Sequence, residues 1–151
     1  MEENNFGSEI SRLLPVIIRE FGKQQSGLLS NGALTIHQLV ILDLLLERKS
    51  CNMSEISRGL NLTMSAATAI IDKMIGSKLV KRERSTEDRR VVRVIMQAKG
   101  RDIIDKINKG RRDLANNVFS VLTASEKSEY LRFLKKVCDS IKQAQNEQSQ
   151  S

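Results

Sequence analysis

Histidine occurs once in the 151 residues, as His37, and cysteine twice, as Cys51 and Cys138. A structural zinc site needs four ligands, and with no CxxC and no Cys/His cluster this chain cannot supply one. A hydrolase built on a Ser/His or Cys/His pair would have to work through His37, and nothing near His37 in the sequence provides a nucleophile. No catalytic residue, metal or cofactor is therefore expected. Long apolar runs are also missing. The longest is Leu39-Val40-Ile41-Leu42, against the roughly 20 residues that a spanning helix needs. The start, Met1-Glu2-Glu3-Asn4-Asn5, is acidic and polar, so no secretory signal is expected and a cytoplasmic location follows. Tryptophan is absent and aromatics make up 3 % of the chain. The five are Phe6, Phe21, Phe119, Tyr130 and Phe133, and none falls in residues 61–112.

That middle segment is where the charge collects. The net charge of the chain is +7. Residues 1–60 carry 6 Lys/Arg against 7 Asp/Glu, residues 61–112 carry 14 against 6, and residues 113–151 carry 5 against 5. The partial sums are −1, +8 and 0, so the excess sits in one segment, as on a face that meets a polyanion. Single-stranded nucleic acid fits poorly, because its binding relies on aromatic stacking and this segment has no aromatic residue. Hydrophobic residues at 40 % and charged residues at 28 % are the mix of an ordinary soluble globular protein, and 151 residues suit one compact domain or one domain with helical arms.

Ile10, Leu13, Leu14, Ile17, Ile18 and Phe21 recur at helical spacing, and Pro15 should kink that helix or mark its start. Gly27 to Gly32 reads as a loop. Thr35-Ile36-His37-Gln38 is a capping box, and the helix it opens is apolar all round, hence buried. Asn52-Met53-Ser54-Glu55 opens a short helix, Gly59-Leu60-Asn61-Leu62 makes a tight turn, and Thr63 caps a helix to about Ser77. A short helix, a turn and a second helix form a helix-turn-helix. Residues 79–84 and 91–96 read as two strands around the polar loop Ser85–Arg90, a hairpin with a charged tip. A helix with Ile103, Ile104, Ile107, Leu114 and Val118 follows Lys99-Gly100. Thr123-Ala124-Ser125-Glu126 caps a last helix, and from Gln143 the tail should fray. The fold class is thus mainly α with a small β-hairpin wing.

In the helix from Thr63, Ala67, Ile70, Ile71 and Met74 should face the core, leaving Ser65, Thr68, Ala69 and Asp72 outward. Small outward residues let a helix sink into a major groove, where hydroxyls meet phosphates or base edges and methyls meet thymine. Lys73, Lys78, Lys81, Arg82, Arg84, Arg89, Arg90 and Arg93 then place eight positive charges within 21 residues. Arginines at a hairpin tip suit a narrow minor groove, and Asp88, two residues before Arg90, can hold that arginine in one orientation. Candidate DNA-binding residues are Thr63, Ser65, Ala66, Thr68, Lys73, Arg84, Arg89 and Arg90, with Asp88 bracing the wing.

These residues resemble the MarR family of regulators. Leu34-Thr35-Ile36-His37-Gln38 is similar to its LTxxQ helix start, Ser65–Met74 to its recognition helix, and Leu79-Val80-Lys81-Arg82 to the strand that follows. Asp88–Val94 resembles its DxR wing signature, and Lys99-Gly100 the start of the long helix after it. Two positions depart: Lys78 stands where the family usually has Gly, and Gln97 where it usually has Thr. The resemblance implies a homodimeric regulator of double-stranded DNA. Ser65, Ala66 and Thr68 would lie near bases and Arg90 in the minor groove. Residues 1–32 and 99–146 would supply dimerisation helices around a DNA-binding lobe at 33–98, with a frayed tail at 147–151. It also implies release from a pseudo-palindromic operator by a small aromatic or phenolic effector. His37 is expected to face solvent in its first helical turn, with the effector cleft as the alternative. Cys51, beside polar loop residues, is a candidate reactive thiol for a redox-responsive regulator, and Cys138 is expected in the core. A winged-helix module that docks a protein and never reads DNA is the alternative of another class.

Overall fold

A computed structural model describes residues 3–30 and 34–148, and side chains within 5–23 and 34–147. The elements run α1 (Glu3–Ser30), α2 (Ile36–Arg48), β1 (Ser50–Cys51), α3 (Met53–Leu60), α4 (Met64–Gly76), β2 (Val80–Arg84), β3 (Val92–Met96), α5 (Ala98–Val118), a 3-10 turn (Phe119–Val121) and α6 (Ala124–Gln148). The chain divides into two compact units, one ending at Arg111 and the other beginning at Arg112.

The expected capping chemistry is present at Thr35, Asn52, Thr63 and Thr123. The Gln38 N–H donates to Thr35 Oγ1 at 3.3 Å and the Thr35 N–H to Gln38 Oε1 at 2.9 Å. Asn52 and Glu55 exchange the same pair of bonds at 2.7 and 2.9 Å. Thr63 Oγ1 accepts from the Ala66 N–H at 3.3 Å. Thr123 donates from both N–H and hydroxyl to Glu126, which holds the Glu126 carboxyl below the usual carboxylate range. Each such cap satisfies donors that the first turn leaves free and contributes about 1 kcal/mol.

The core of the first unit gathers on α2. Leu39, Ile41, Leu42 and Leu45 are buried there and meet Ile56 of α3, Ala67, Ile71 and Met74 of α4, Val80 and Val94 of the sheet, and Ile104 and Ile107 of α5. Fully burying one such aliphatic side chain stabilises by about 1.5–3 kcal/mol. Ile36, at the edge of the all-round apolar pattern, is half exposed. Arg111 of α5 grips Asp43 of α2 with two parallel bonds, Nη1 to Oδ1 at 2.8 Å and Nη2 to Oδ2 at 3.0 Å.

The sheet has the order β1-β3-β2, antiparallel throughout. The hairpin β2–β3 matches expectation, but the third strand does not follow from the sequence. Ser50 and Cys51 pair with Ile95 and Val94, and two residues are too short to show any alternation. This strand overturns the expectation of a reactive Cys51. Its side chain is fully buried, and burial, then the Glu55 carboxylate, push the thiol up from its ordinary value. Cys138 is corrected in the opposite sense. It is exposed, because helical spacing reveals a face without revealing what covers it.

Four boundaries also differ. Helix α1 continues to Ser30, so Gly27–Ser30 is helical and not loop, while Asn31 and Gly32 lie outside the described residues. Pro15 sits inside α1 and leaves the Ser11 carbonyl without its intrahelical donor. Gly59 belongs to α3, and its role is space: a Cβ there would stand 2.7 Å from Leu44 Cδ1. The chain instead turns at Asn61, in the left-handed region with φ 52°. Helix α6 reaches Gln148, because Lys, Gln, Ala and Glu are good helix formers and propagation costs little once a helix exists; residues 149–151 are outside the described set.

The junction after α4 is the tightest in the first unit. Leu79 N–H donates to the Met74 carbonyl and Lys78 N–H to the Ile75 carbonyl, both at 2.9 Å. These are the two bonds of a Schellman ending, with Lys78 at the left-handed position, φ 62°. Residues 97–100 then bind this ending. Gln97 N–H donates to the Leu79 carbonyl at 2.9 Å, Gln97 Nε2 to the Val80 carbonyl at 2.6 Å, and Lys99 Nζ to the Ser77 carbonyl at 3.0 Å. Gln97 therefore uses its side chain to hold the strand rather than to cap α5. Gly100 packs so closely that a Cβ would lie 2.3 Å from the Leu79 carbonyl oxygen.

Three outcomes follow. Lys78→Gly should raise stability by about 1 kcal/mol, by relieving a left-handed non-glycine residue. Gly100→Ala should lower it by about 1–3 kcal/mol. Both are read from denaturant midpoints. In a Cys138→Ser background the folded protein should leave Cys51 unlabelled by a thiol reagent at pH 8, with one thiol appearing on denaturation. The raised Cys51 pKa keeps its proton on the folded chain after the unfolded one has lost it, so this residue's contribution to stability falls as pH rises above about 9.

Candidate nucleic-acid interface

Helix α4 turns a buried side and a small-residue side in opposite directions, as its spacing requires. Ala67, Ile71 and Met74 are fully buried and Ile70 partly so. Thr63, Ser65, Ala69 and Asp72 are exposed, and Ala66 and Thr68 are half exposed. Thr63, Ser65, Ala66 and Thr68 are thus gathered at the cap and first turns of one helix. Thr63 Oγ1 lies 3.2 Å from Ser65 Oγ, so the two hydroxyls share a hydrogen bond at the helix entrance. Thr68 Oγ1 donates back to the Met64 carbonyl at 2.8 Å, which fixes its rotamer and leaves its methyl and lone pairs outward. The first N–H groups of the helix that are not used by the cap point at the same entrance, where they favour an anion.

The hairpin carries the charge beyond the body of the sheet. Its register places Glu83 opposite Arg93 and Arg84 opposite Val92. The tip is closed by Ser85 N–H to the Val91 carbonyl at 2.8 Å and Val91 N–H to the Asp88 carbonyl at 2.9 Å. Asp88 Oδ1 accepts the Arg90 N–H at 3.0 Å and also lies 3.7 Å from Arg90 Nε. The carboxylate therefore holds the Arg90 backbone amide, while the Arg90 side chain is 95 % exposed.

The eight cations between Lys73 and Arg93 fall into three sets. Lys81 pairs with Glu83, Arg82 pairs with Asp72 of α4 at 2.8 Å, and Arg93 is bound to Ser50 and Glu55. Among the described residues, Arg90 has only Asp88 as an ion-pair partner. Lys73, Lys78, Arg84 and Arg89 are exposed with no ion-pair partner among the described residues. Sequence counting could not separate these sets, because the partners Asp72, Ser50 and Glu55 come from other elements.

A groove of about 430 Å³ lies along the outer side of the hairpin, lined by Ser50, Arg84, Ser85, Glu87, Arg93 and neighbours. Glu83 and Glu87 offset its two arginines. His37 is exposed in the first turn of α2, as expected. Among the described residues, no cluster of three or more His, Cys, Asp or Glu side chains is arranged to hold a metal ion, and no helix is long and apolar enough to cross a membrane.

Comparison with known proteins agrees with this architecture. Residues 34–92 match the MarR family. The uncharacterized HTH-type transcriptional regulator YsmB of Bacillus subtilis is 30 % identical over 126 residues, covering 83 % of this chain and 84 % of that protein. The HTH-type transcriptional repressor MdtR of the same organism is 25 % identical over 119 residues, covering 79 % and 77 %. A MarR family protein from Bacillus stearothermophilus has a similar structure, with a TM-score of 0.82 and 27 % identity, over 94 % of this chain and 99 % of that one. A helix-turn-helix with an arginine-tipped hairpin, matched by sequence and by structure to regulators rather than enzymes, places this chain in the MarR family of DNA-binding transcriptional regulators.

Proposed function

We propose that the chain is a homodimeric repressor that reads a pseudo-palindromic operator and is released from it by a small ligand. In this reading Thr63, Ser65, Ala66 and Thr68 enter the major groove. Lys73, Arg84 and Arg89 meet phosphates, and Arg90, braced by Asp88, enters the minor groove. The observation that carries the DNA side is the sorting of charge: Lys81, Arg82 and Arg93 are paired, whereas Lys73, Arg84 and Arg89 have no ion-pair partner among the described residues and Arg90 meets only Asp88 of its own loop.

Dimerisation is supported by apolar side chains that stand exposed among the described residues of α1 and α6. Phe6, Ile10, Leu13 and Leu14 of α1 are exposed at helical spacing. On α6 Tyr130, Leu134, Val137 and Ile141 form a second stripe. Stripes of this size on a soluble chain mark interaction surfaces, and a second copy would give the dimerisation role of residues 1–32 and 99–146. Repression is the activity of the relative MdtR. A small aromatic or phenolic effector is what the family resemblance implies.

Selection of duplexes from a random pool should enrich an inverted repeat whose half-sites lie about 34–36 Å apart. Counting Lys73, Arg84, Arg89 and the minor-groove Arg90 on each of two chains, about eight charges meet the DNA, and log affinity should fall with log salt at a slope near −7. No enrichment and a flat slope would sink the DNA reading and favour a protein-docking module. Arg90→Ala should weaken operator binding about tenfold and leave the fold intact; unchanged affinity would remove Arg90 from the interface. Sedimentation should show a dimer at micromolar concentration, and a well-folded monomer would overturn the two-site geometry.

A further inference from the structure

The hairpin outgrows the sheet that supports it. Strand β1 contributes two residues, so β3 is flanked on both sides only at Val94 and Ile95. From Arg93 towards the tip the sheet is a two-stranded ribbon. Such ribbons are marginal in water and twist more than wider sheets, so their direction needs a further anchor.

Arg93 is the first residue beyond the third strand, and its guanidinium reaches back to that strand. Its Nε donates to Ser50 Oγ at 2.7 Å and its Nη2 to the Ser50 carbonyl at 3.3 Å. The same Nη2 lies 3.7 Å from Glu55 Oε2, the oxygen that accepts the Asn52 N–H and closes the start of α3. The anchor is rigid, because Ser50 is paired in the sheet and the next residue, Cys51, is fully buried. The Arg93 and Glu55 side chains are 34 % and 24 % exposed, so water screens this pair less than the contacts at the tip.

We propose that Arg93 is a positioning residue for DNA binding: it stands in for the missing third-strand pairing and fixes the direction of the wing relative to the helix-turn-helix, without touching DNA. The proposal rests on the reading that the wing meets DNA. It gives Arg93, one of the eight cations between Lys73 and Arg93, a role other than meeting phosphate.

The test compares Arg93→Gln, Arg93→Lys and Ser50→Ala with Arg84→Gln and Arg89→Gln on the selected operator duplex. Lysine keeps the charge but cannot make the forked contact. Losing hydrogen bonds to a charged group should lower affinity about tenfold in both Arg93 variants, and less in Ser50→Ala. The salt slope should stay at the wild-type value, whereas Arg84→Gln and Arg89→Gln should each reduce its magnitude by about 2 per dimer. A reduced slope in Arg93→Gln together with wild-type affinity in Arg93→Lys would make Arg93 a phosphate contact and overturn the proposal. Wild-type affinity in both variants would overturn it too.

A second arm needs no DNA. In the free protein, Arg93→Gln and Ser50→Ala should speed hydrogen exchange at the Ser85 and Val91 amides about tenfold, with the α2 amides unchanged. Unchanged exchange at the tip, or equal acceleration everywhere, would overturn the proposal. Faster exchange confined to the tip, in a protein that binds no duplex, would refute the DNA reading while leaving the anchoring of the wing in place.

Discussion

The close approach of Gly100 to the Leu79 carbonyl is the constraint around which the first unit is organised. Leu79 ends α4 through its bond to Met74, begins the hairpin, and accepts from Gln97 as α5 starts. Three elements therefore meet at one residue. A side chain there would force the backbone to shift, since even a methyl would lie 2.3 Å from the oxygen. Gln97 and Lys99 secure the flanking carbonyls. The Arg111–Asp43 pair then fastens the next turns of α5 to α2, the most buried helix. The helix that offers small residues outward is thus held at its C-terminal end by contacts to its backbone carbonyls, and on its outer face, among the described residues, only Asp72 is tied to another element, through Arg82.

The hairpin extends the same logic through side chains. Arg82 joins β2 to α4 through Asp72, and Arg93 joins β3 to β1 and α3 through Ser50 and Glu55. Charge in this region has two uses, and only the three-dimensional partners tell them apart. An arginine within 4 Å of a carboxylate from another element keeps the ribbon oriented. An arginine beyond the last strand pairing has nothing but its own loop to bind.

Much of this was legible in the residues. The capping pairs Thr35/Gln38, Asn52/Glu55 and Thr123/Glu126 announce helix starts because side chain and backbone satisfy each other locally. The alternation of buried and small residues in α4 follows from 3.6-residue periodicity, and the β-branched run Val91-Val92 with Val94-Ile95 signals a strand. What stayed hidden depends on distant partners. Ser50 and Cys51 become a strand only because Ile95 and Val94 arrive beside them, and Cys51 is buried for the same reason. Gly59 resembles a turn residue in sequence, yet it is a site of close approach to Leu44. Lys78 looks like a departure from a glycine pattern, and the positive φ there shows that the backbone kept the geometry the glycine would have served.

The strand order has a consequence for how this protein behaves in a crowded solution. An arm that must reach a partner cannot be covered, and an uncovered strand offers unpaired N–H and C=O groups to any other strand. Here one margin of the sheet is β1, two residues long and ended by a helix start. The other is β2, whose Lys81-Arg82-Glu83-Arg84 are all exposed and charged. A neighbouring chain finds too little length on one side and too much hydrated charge on the other, so the residues that orient the wing also keep it from joining strands with its neighbours.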